Sequence, residues 1–110
     1  LKAQREVEEI VRVIIERHCQ PGKEAELERL LMELRISAMR QPGYISGETL
    51  RGDTFRTVDD PSLWLVISTW VDAESWQEWQ MVPGRREIDS KIEALLVAPE
   101  EVTILKIVSR

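Results

Sequence analysis

Thiol and imidazole side chains are almost absent from this sequence, which contains one cysteine, Cys19, and one histidine, His18. A disulfide within the chain needs two cysteines, and a metal cage of cysteine and histidine needs several such ligands. Both are therefore excluded within one subunit, and any metal would have to bind to carboxylates. No glycine-rich nucleotide-binding motif is present either. We expect no metal and no organic cofactor.

Long hydrophobic runs are also missing. The longest, residues 63–67, is far shorter than the ~20 apolar residues that span a bilayer. The charged N-terminal segment lacks the apolar centre of a signal peptide. These features predict a cytoplasmic protein with no membrane partner.

An excess of positive charge, which binding to a phosphate backbone requires, is not found. The chain has 15 Lys and Arg against 20 Asp and Glu, a formal net charge of −5. We expect no nucleic-acid partner.

The remaining composition is that of an ordinary globular protein. Of the 110 residues, 43% are hydrophobic and 32% are charged, which is too apolar for intrinsic disorder. Residues 1–8 are charge-rich without a clear apolar face, so we interpret them as an N-terminal extension. Residues 9–110 are predicted to form one domain.

The hydrophobic spacing alternates between the period of a strand and that of a helix. β-branched residues and helical stripes such as Leu27, Leu30, Leu31 and Leu34 predict the following elements in order: a strand over 10–18, a helix from 23 to about 40, a strand over 44–51, a strand over 63–71, a helix after the N-cap Asp72 that is interrupted at Pro83 and Gly84, and a strand over 102–108. Residues 51–62 are predicted to connect the second and third strands as a hairpin. This β-α-β-β-α-β order is that of an α+β ferredoxin-like fold with an antiparallel sheet.

Apolar residues occupy both faces of the predicted sheet. The first strand has Val13 and Ile15 on one face and Ile14 on the other. In the third strand, Leu65 and Val66 point to opposite faces of the sheet. Two helices cover only one face of a sheet. We therefore expect the second face to pack against a second copy of the chain, as a homodimer.

Several segments in a fixed order resemble the antibiotic biosynthesis monooxygenase (ABM) family. They are Pro21-Gly22-Lys23, Gln41-Pro42-Gly43-Tyr44, Asp59-Asp60-Pro61, Leu65-Val66-Ile67-Ser68-Thr69-Trp70, Glu74-Ser75-Trp76, and Trp79. The resemblance covers about residues 11–108. It implies a dimeric α+β barrel with a pocket between sheet and helices in each subunit. It also implies an activity among cofactor-independent oxygenases of phenols or quinols, or among haem-degrading enzymes.

The haem-degrading branch carries an Asn at the end of the first strand, a Trp at the end of the third and a His in the last helix. Only the tryptophan is matched, by Trp70. The other two positions fall at Ile15 or Arg17 and near Asp89. The resemblance therefore disfavours haem breakdown. The quinone-forming branch is not fully matched either, because Val66 stands where an Asn is expected.

Aromatic residues of the third strand and the following helix are candidate pocket residues. Trp70 is predicted to share a strand face with Trp64 and Ser68, where it could stack on an aromatic substrate or fill the core. Trp76 is a further substrate-binding candidate, although an aromatic residue at helical spacing is more often part of the core.

His18 is a candidate catalytic base, because the unperturbed pKa of a histidine side chain lies near neutrality. Trp70 is the second catalytic candidate. A histidine at a strand end is alternatively a solvated edge residue. Tyr44, Arg86 and Asp89 are candidate substrate-binding residues, and for the last two the alternative is a solvated helix face with local ion pairs.

These observations lead to one main functional hypothesis and two alternatives. The main one is a cofactor-independent monooxygenase that oxidises a small phenolic or quinol-type aromatic compound with O₂. The first alternative is a barrel that binds a small ligand or serves in a stress response without catalysis. The second, disfavoured, is a haem-binding or haem-degrading protein.

Overall fold

The computed structural model describes residues 9–52 and 62–109. The segments follow the predicted order, with bounds of β1 Val11–His18, α1 Glu24–Met39, β2 Tyr44–Arg51, β3 Leu63–Trp70, α2 Ala73–Gln80, α3 Arg85–Glu93 and β4 Glu101–Lys106. The predicted extension 1–8 and most of the predicted hairpin connection lie outside the described residues.

The four strands form one antiparallel sheet in the order β2-β3-β1-β4. In the central pair, Val11 lies opposite Trp70 and His18 lies opposite Leu63. Strand β4 pairs with the other edge of β1, with Ile104 opposite Val13. This topology confirms the ferredoxin-like α+β fold predicted from the element order.

The interrupted second helix consists of two helices separated by a turn. Asp72 is the N-cap of α2, and its carboxylate accepts a hydrogen bond of 2.7 Å from the backbone N–H of Ser75. Gly84 has a φ of 87°, a left-handed conformation that suits glycine, and α3 begins at the next residue. The predicted cap and the predicted interruption are both confirmed.

The buried core lies on one face of the sheet, between the sheet and the helices. It includes the helix stripe Leu27, Leu30, Leu31 and Leu34, the strand residues Val11, Val13, Ile15, Trp64 and Trp70, and Trp79 and Ile92 from α2 and α3. We call this the covered face. The stripe predicted from the leucine spacing is therefore the buried side of α1.

The opposite face, which we call the open face, carries apolar side chains that none of the described helices covers. Ile14, Leu63, Leu65 and Ile67 are half-buried there, and Leu50 and Leu105 are exposed. Both faces are apolar, as the strand patterns predicted. Among the described helices, none is long and apolar enough to cross a bilayer.

Candidate functional site

A narrow cavity lies on the covered face, between the sheet and the helices. Its volume is about 50 Å³ measured to water-molecule centres, which is room for a few waters. Its wall is mainly apolar and aromatic, with Ile15, Leu31, Leu34, Val66, Trp70, Trp76 and Trp79 among its residues. Exposed side chains, including Arg35 and Glu48, stand at its edge. A ring-sized ligand would have to move such side chains outward.

Trp70 forms a rigid part of this wall. Its side chain is buried, and its indole N–H donates a hydrogen bond of 2.9 Å to the Ser68 hydroxyl. The Tyr44 ring meets the Trp70 ring edge-on, with centroids 5.4 Å apart and an interplanar angle of 89°. Gly47 makes room for the tyrosine, because a Cβ there would lie 2.6 Å from the Tyr44 hydroxyl oxygen.

Arg17 places a guanidinium in this apolar surrounding. Arg17 shares a face of β1 with Val13 and Ile15, because alternate residues of a strand point to the same side. Its side chain therefore lies on the covered face, where it is 1% exposed and lines the cavity. Its Nη2 lies 2.8 Å from Glu100 Oε2, an ion-pair distance. The Nη2–Oε2 contact falls short of strict hydrogen-bond geometry, and within the described residues the Nε and Nη1 atoms have no hydrogen-bond partner. Buried donors of this kind are unusual in folded proteins.

A second buried guanidinium, that of Arg85, also lines the cavity. Its Nε donates to Asp89 Oδ2 at 3.2 Å, and its Cζ lies 4.4 Å from the centre of the Trp79 ring. With the Gln80 amide oriented so that its oxygen accepts, that oxygen lies 3.1 Å from Arg85 Nη1 and 3.2 Å from Trp76 Nε1. Arg85 thus has hydrogen-bond acceptors at both Nε and Nη1, whereas the Nε and Nη1 of Arg17 have none among the described residues.

The positive charge of Arg85 acts on Arg17. Burial lowers the pKa of Arg17, and the positive charge of Arg85 also lowers it, whereas the charges of Glu100 and Asp89 and the short side-chain contact with Glu100 raise it. Burial likewise lowers the pKa of Arg85, against the opposing effect of Asp89. Arginine nevertheless stays protonated in proteins. This end of the cavity therefore carries two fixed positive charges beside two carboxylates.

Comparisons with known proteins agree with this architecture. The family model of antibiotic biosynthesis monooxygenase, ABM, matches residues 10–88, which is more than half of the 110-residue chain. The chain belongs to the ABM family. A comparison with curated proteins gave no significant match.

Solved structures show the same fold as this ABM protein at low sequence identity. A conserved protein from Methanosarcina mazei is 17% identical with a TM-score of 0.80, covering 94% of this chain and 97% of that chain. SnoaB, a cofactor-independent oxygenase from Streptomyces nogalater, is 20% identical with a TM-score of 0.79, and the match covers 93% and 96%. A conserved protein of unknown function from Bacteroides thetaiotaomicron is 14% identical with a TM-score of 0.77, covering 91% and 99%.

The structure brings together four of the candidate residues identified in the ABM sequence. Tyr44, Ser68, Trp70 and Trp76 all line the cavity. Their contact with a substrate stays a prediction.

The other four candidates lie outside the cavity wall. His18 is on the open face, where its Nε2 lies 3.2 Å from Glu16 Oε2 and its Nδ1 lies 3.4 Å from the Ser62 hydroxyl. Trp64 is buried on the covered face beneath the Arg51 guanidinium. Arg86 is exposed on α3, and Asp89 is paired with Arg85.

Sequence reasoning missed Arg17 as a residue of the site. One signal was available, since a charged residue at an odd position of β1 interrupts the apolar series Val11, Val13, Ile15. The ends of strands commonly carry such charges in solvent, so this signal does not separate a buried arginine from a solvated one. In the described part of the chain, no group of three or more His, Cys, Asp or Glu side chains could hold a metal ion.

Proposed function

We propose that this ABM protein is a cofactor-independent monooxygenase that oxidises a small phenolic or quinol-type aromatic compound with O₂. The observation that supports the proposal is the cavity itself, an aromatic wall around Trp70 with two buried guanidiniums at one end. Aromatic rings stack well on such a wall, and a positive charge nearby favours the ionised form of a phenol.

The reaction needs no reductant beyond the substrate. For a phenol with a free para carbon, loss of the hydroxyl proton to solvent gives a phenolate, which transfers one electron to O₂. The resulting radical and superoxide combine to form a C–O bond at the para carbon. Loss of the para hydrogen with cleavage of the O–O bond then releases a quinone and one molecule of water. The protein supplies orientation, an apolar surrounding and positive charge.

His18 has no part in this scheme within one subunit, because its ring lies on the open face. The positive charges of Arg17 and Arg85 favour the ionised form of the phenol, so the phenol can lose its proton to solvent without a base in the cavity.

The proposal includes the homodimer and the cytoplasmic location that the sequence predicts. The half-buried Ile14, Leu65 and Ile67 and the exposed Leu50 and Leu105 form an apolar surface on the open face. A second sheet packed against it would remove this surface from water.

The experiment that tests the proposed activity is oxygen consumption with a panel of single-ring and two-ring phenols and quinols, with quinone formation followed by absorbance. The expected result is stoichiometric uptake of one O₂ per quinone formed from a phenol, without added metal, flavin or reductant. Binding of the same compounds without oxygen uptake would contradict the proposal. That outcome would favour the alternative of a non-catalytic binding protein.

A further inference from the structure

We propose that Arg17 binds the ionised oxygen of a ring-shaped ligand, so that the cavity takes small aromatic compounds as their anions, either aryl carboxylates or phenolates. The phenolate case deepens the function proposed above and rests on it. The binding of an aryl carboxylate does not, because it needs no oxidation.

The first support is the state of the Arg17 donors. A guanidinium has five N–H groups in a fixed planar fork that matches a carboxylate or a phenolate oxygen. Arg17 is buried and lines the cavity, yet its Nε and Nη1 have no hydrogen-bond partner among the described residues, and its Nη2 contacts only Glu100. An oxygen acceptor within the cavity would fill those donors.

The contrast with Arg85 identifies which of the two arginines binds the ligand. Arg85 already donates to Asp89 and stacks over Trp79. Arg17 has only the ion-pair contact with Glu100 Oε2, an oxygen that is itself buried although the Glu100 side chain is 26% exposed. Arg85 then acts on a bound anion through its charge, and Arg17 through direct hydrogen bonds.

The apolar wall determines the rest of the ligand. Ile15 precedes Arg17 by two residues on the same strand face, and Val66 and Trp70 continue that face on β3. A ligand whose oxygen reaches Arg17 therefore has its hydrocarbon part against aliphatic and aromatic side chains. This combination suits one aromatic ring with one acidic group, and it is unfavourable for a hydrophilic anion such as phosphate.

The proposal predicts that Glu100 competes with the ligand for Arg17. Removal of its negative charge should leave Arg17 freer to bind an anion and should remove a like-charge repulsion. Glu100→Gln should therefore strengthen anion binding, whereas Arg17→Met should weaken it. Methionine keeps much of the arginine stem's volume and removes the charge. A purely structural role for the Arg17–Glu100 pair does not predict opposite signs.

The experiment measures binding of benzoate and of its neutral counterpart benzyl alcohol by tryptophan fluorescence or calorimetry, and the ionisation of 4-nitrophenol by absorbance. In the parent protein, benzoate should bind at least about tenfold more tightly than benzyl alcohol, and bound 4-nitrophenol should have a lowered pKa. Arg17→Met should abolish both effects. Glu100→Gln should tighten benzoate binding by about threefold or more.

Arg29→Met is the matched control, because it removes the same charge from an exposed position of α1 outside the cavity wall. It should leave binding unchanged. If Arg17→Met changes only the affinity for benzoate, the site is assigned to carboxylates. If it changes only the pKa of bound 4-nitrophenol, the site is assigned to phenolates. Either result supports the inference. Equal affinity for benzoate and benzyl alcohol together with an unshifted 4-nitrophenol pKa, or equal effects of the two arginine variants, would overturn it.

Two further results keep the test decisive. If Arg17→Met does not fold, the Glu100→Gln measurement remains, and an unchanged or weaker affinity for both anions would refute the inference. Benzoate binding that depends on Arg17, without oxygen uptake on any phenol, would refute the proposed oxygenase activity and leave the anion site in place.

Discussion

The Trp70 indole donates its N–H to the hydroxyl of Ser68, two residues earlier on the same strand, at 2.9 Å. Because residues i and i+2 of a strand share a face, this bond lies along the cavity wall and holds the ring in one orientation. Tyr44 meets the same ring edge-on from the neighbouring strand. The tryptophan is therefore fixed by one polar and one aromatic contact.

The first prediction separates a pocket role of Trp70 from a core role. Trp70→Phe keeps an aromatic ring but removes the donor, so unfolding free energy should fall by about 1 kcal/mol while ligand affinity or turnover falls by a larger factor. Trp70→Ala should cost about 3–5 kcal/mol because it leaves a cavity in a buried position. Thermal and urea unfolding measure stability, and fluorescence titration with naphthols and quinols measures binding.

Ser68→Ala is the control for this prediction. It leaves the indole in place with its N–H unpaired, so it should reduce stability by about 1–3 kcal/mol. The double variant with Trp70→Phe should be less destabilised than the sum of the two changes, because the two residues share one bond. A Trp70→Phe protein that binds and converts every compound as the parent does would contradict the pocket role.

Local patterns predicted much of the fold because local physics decides it. The leucine spacing of α1, the Asp72 cap and the bounds of β2 all depend on residues close in sequence. The two-sided apolar strands also predicted the open face.

The candidate site depended on information that no local pattern contains. His18 shares a strand face with Ile14 and Glu16 because side chains alternate along β1, but both faces of β1 are apolar. Only the register of β1 against β3 shows that Trp70 is on the other side. The electrostatic surroundings of Arg17 likewise come from Glu100 and Arg85, which are far from it in sequence.

The second prediction concerns the open face. Sedimentation of the parent at micromolar concentration should give about twice the chain mass of 12.8 kDa. Ile67→Lys places a charge at the centre of the open face and should yield a folded monomer, since a buried unpaired charge is unfavourable in an interface. Ile36→Lys, at a position 53% exposed on α1, should remain dimeric. A parent protein that is monomeric and fully folded would refute the dimer.

The third prediction concerns the start of α2, which carries Trp76 and Trp79 of the cavity wall. Asp72→Ala removes the acceptor for the Ser75 N–H and should reduce the free energy of unfolding by about 1 kcal/mol. Asp72→Asn retains an acceptor and should lose less. Urea unfolding checks both values, and equal losses in the two variants would show that the hydrogen bond is not the cause.

The last prediction is a pH dependence at the start of α1. Hydrogen bonding of the Glu24 carboxylate to its own backbone N–H and to that of Gly22 lowers the pKa of Glu24, and the Gly22 nitrogen lies 2.9 and 3.1 Å from the two carboxylate oxygens. A carboxyl pKa that is lower in the folded state stabilises the protein above the unfolded value. This stabilisation is lost as the pH falls from about 4.3 through the lowered folded value.

Glu24→Gln should therefore reduce the thermal midpoint at neutral pH, and the difference from the parent should shrink as the pH falls below about 4.3. Glu26→Gln is the matched control. Glu26 also lies in the first turn of α1, so this substitution removes the same charge near the helix N-terminus. Thermal unfolding of the three proteins from neutral to acidic pH makes the comparison. Both carboxylates interact with the helix N-terminus, but only that of Glu24 is expected to gain stability from backbone hydrogen bonds. Identical pH profiles for the two variants would therefore show that those bonds do not stabilise the folded state.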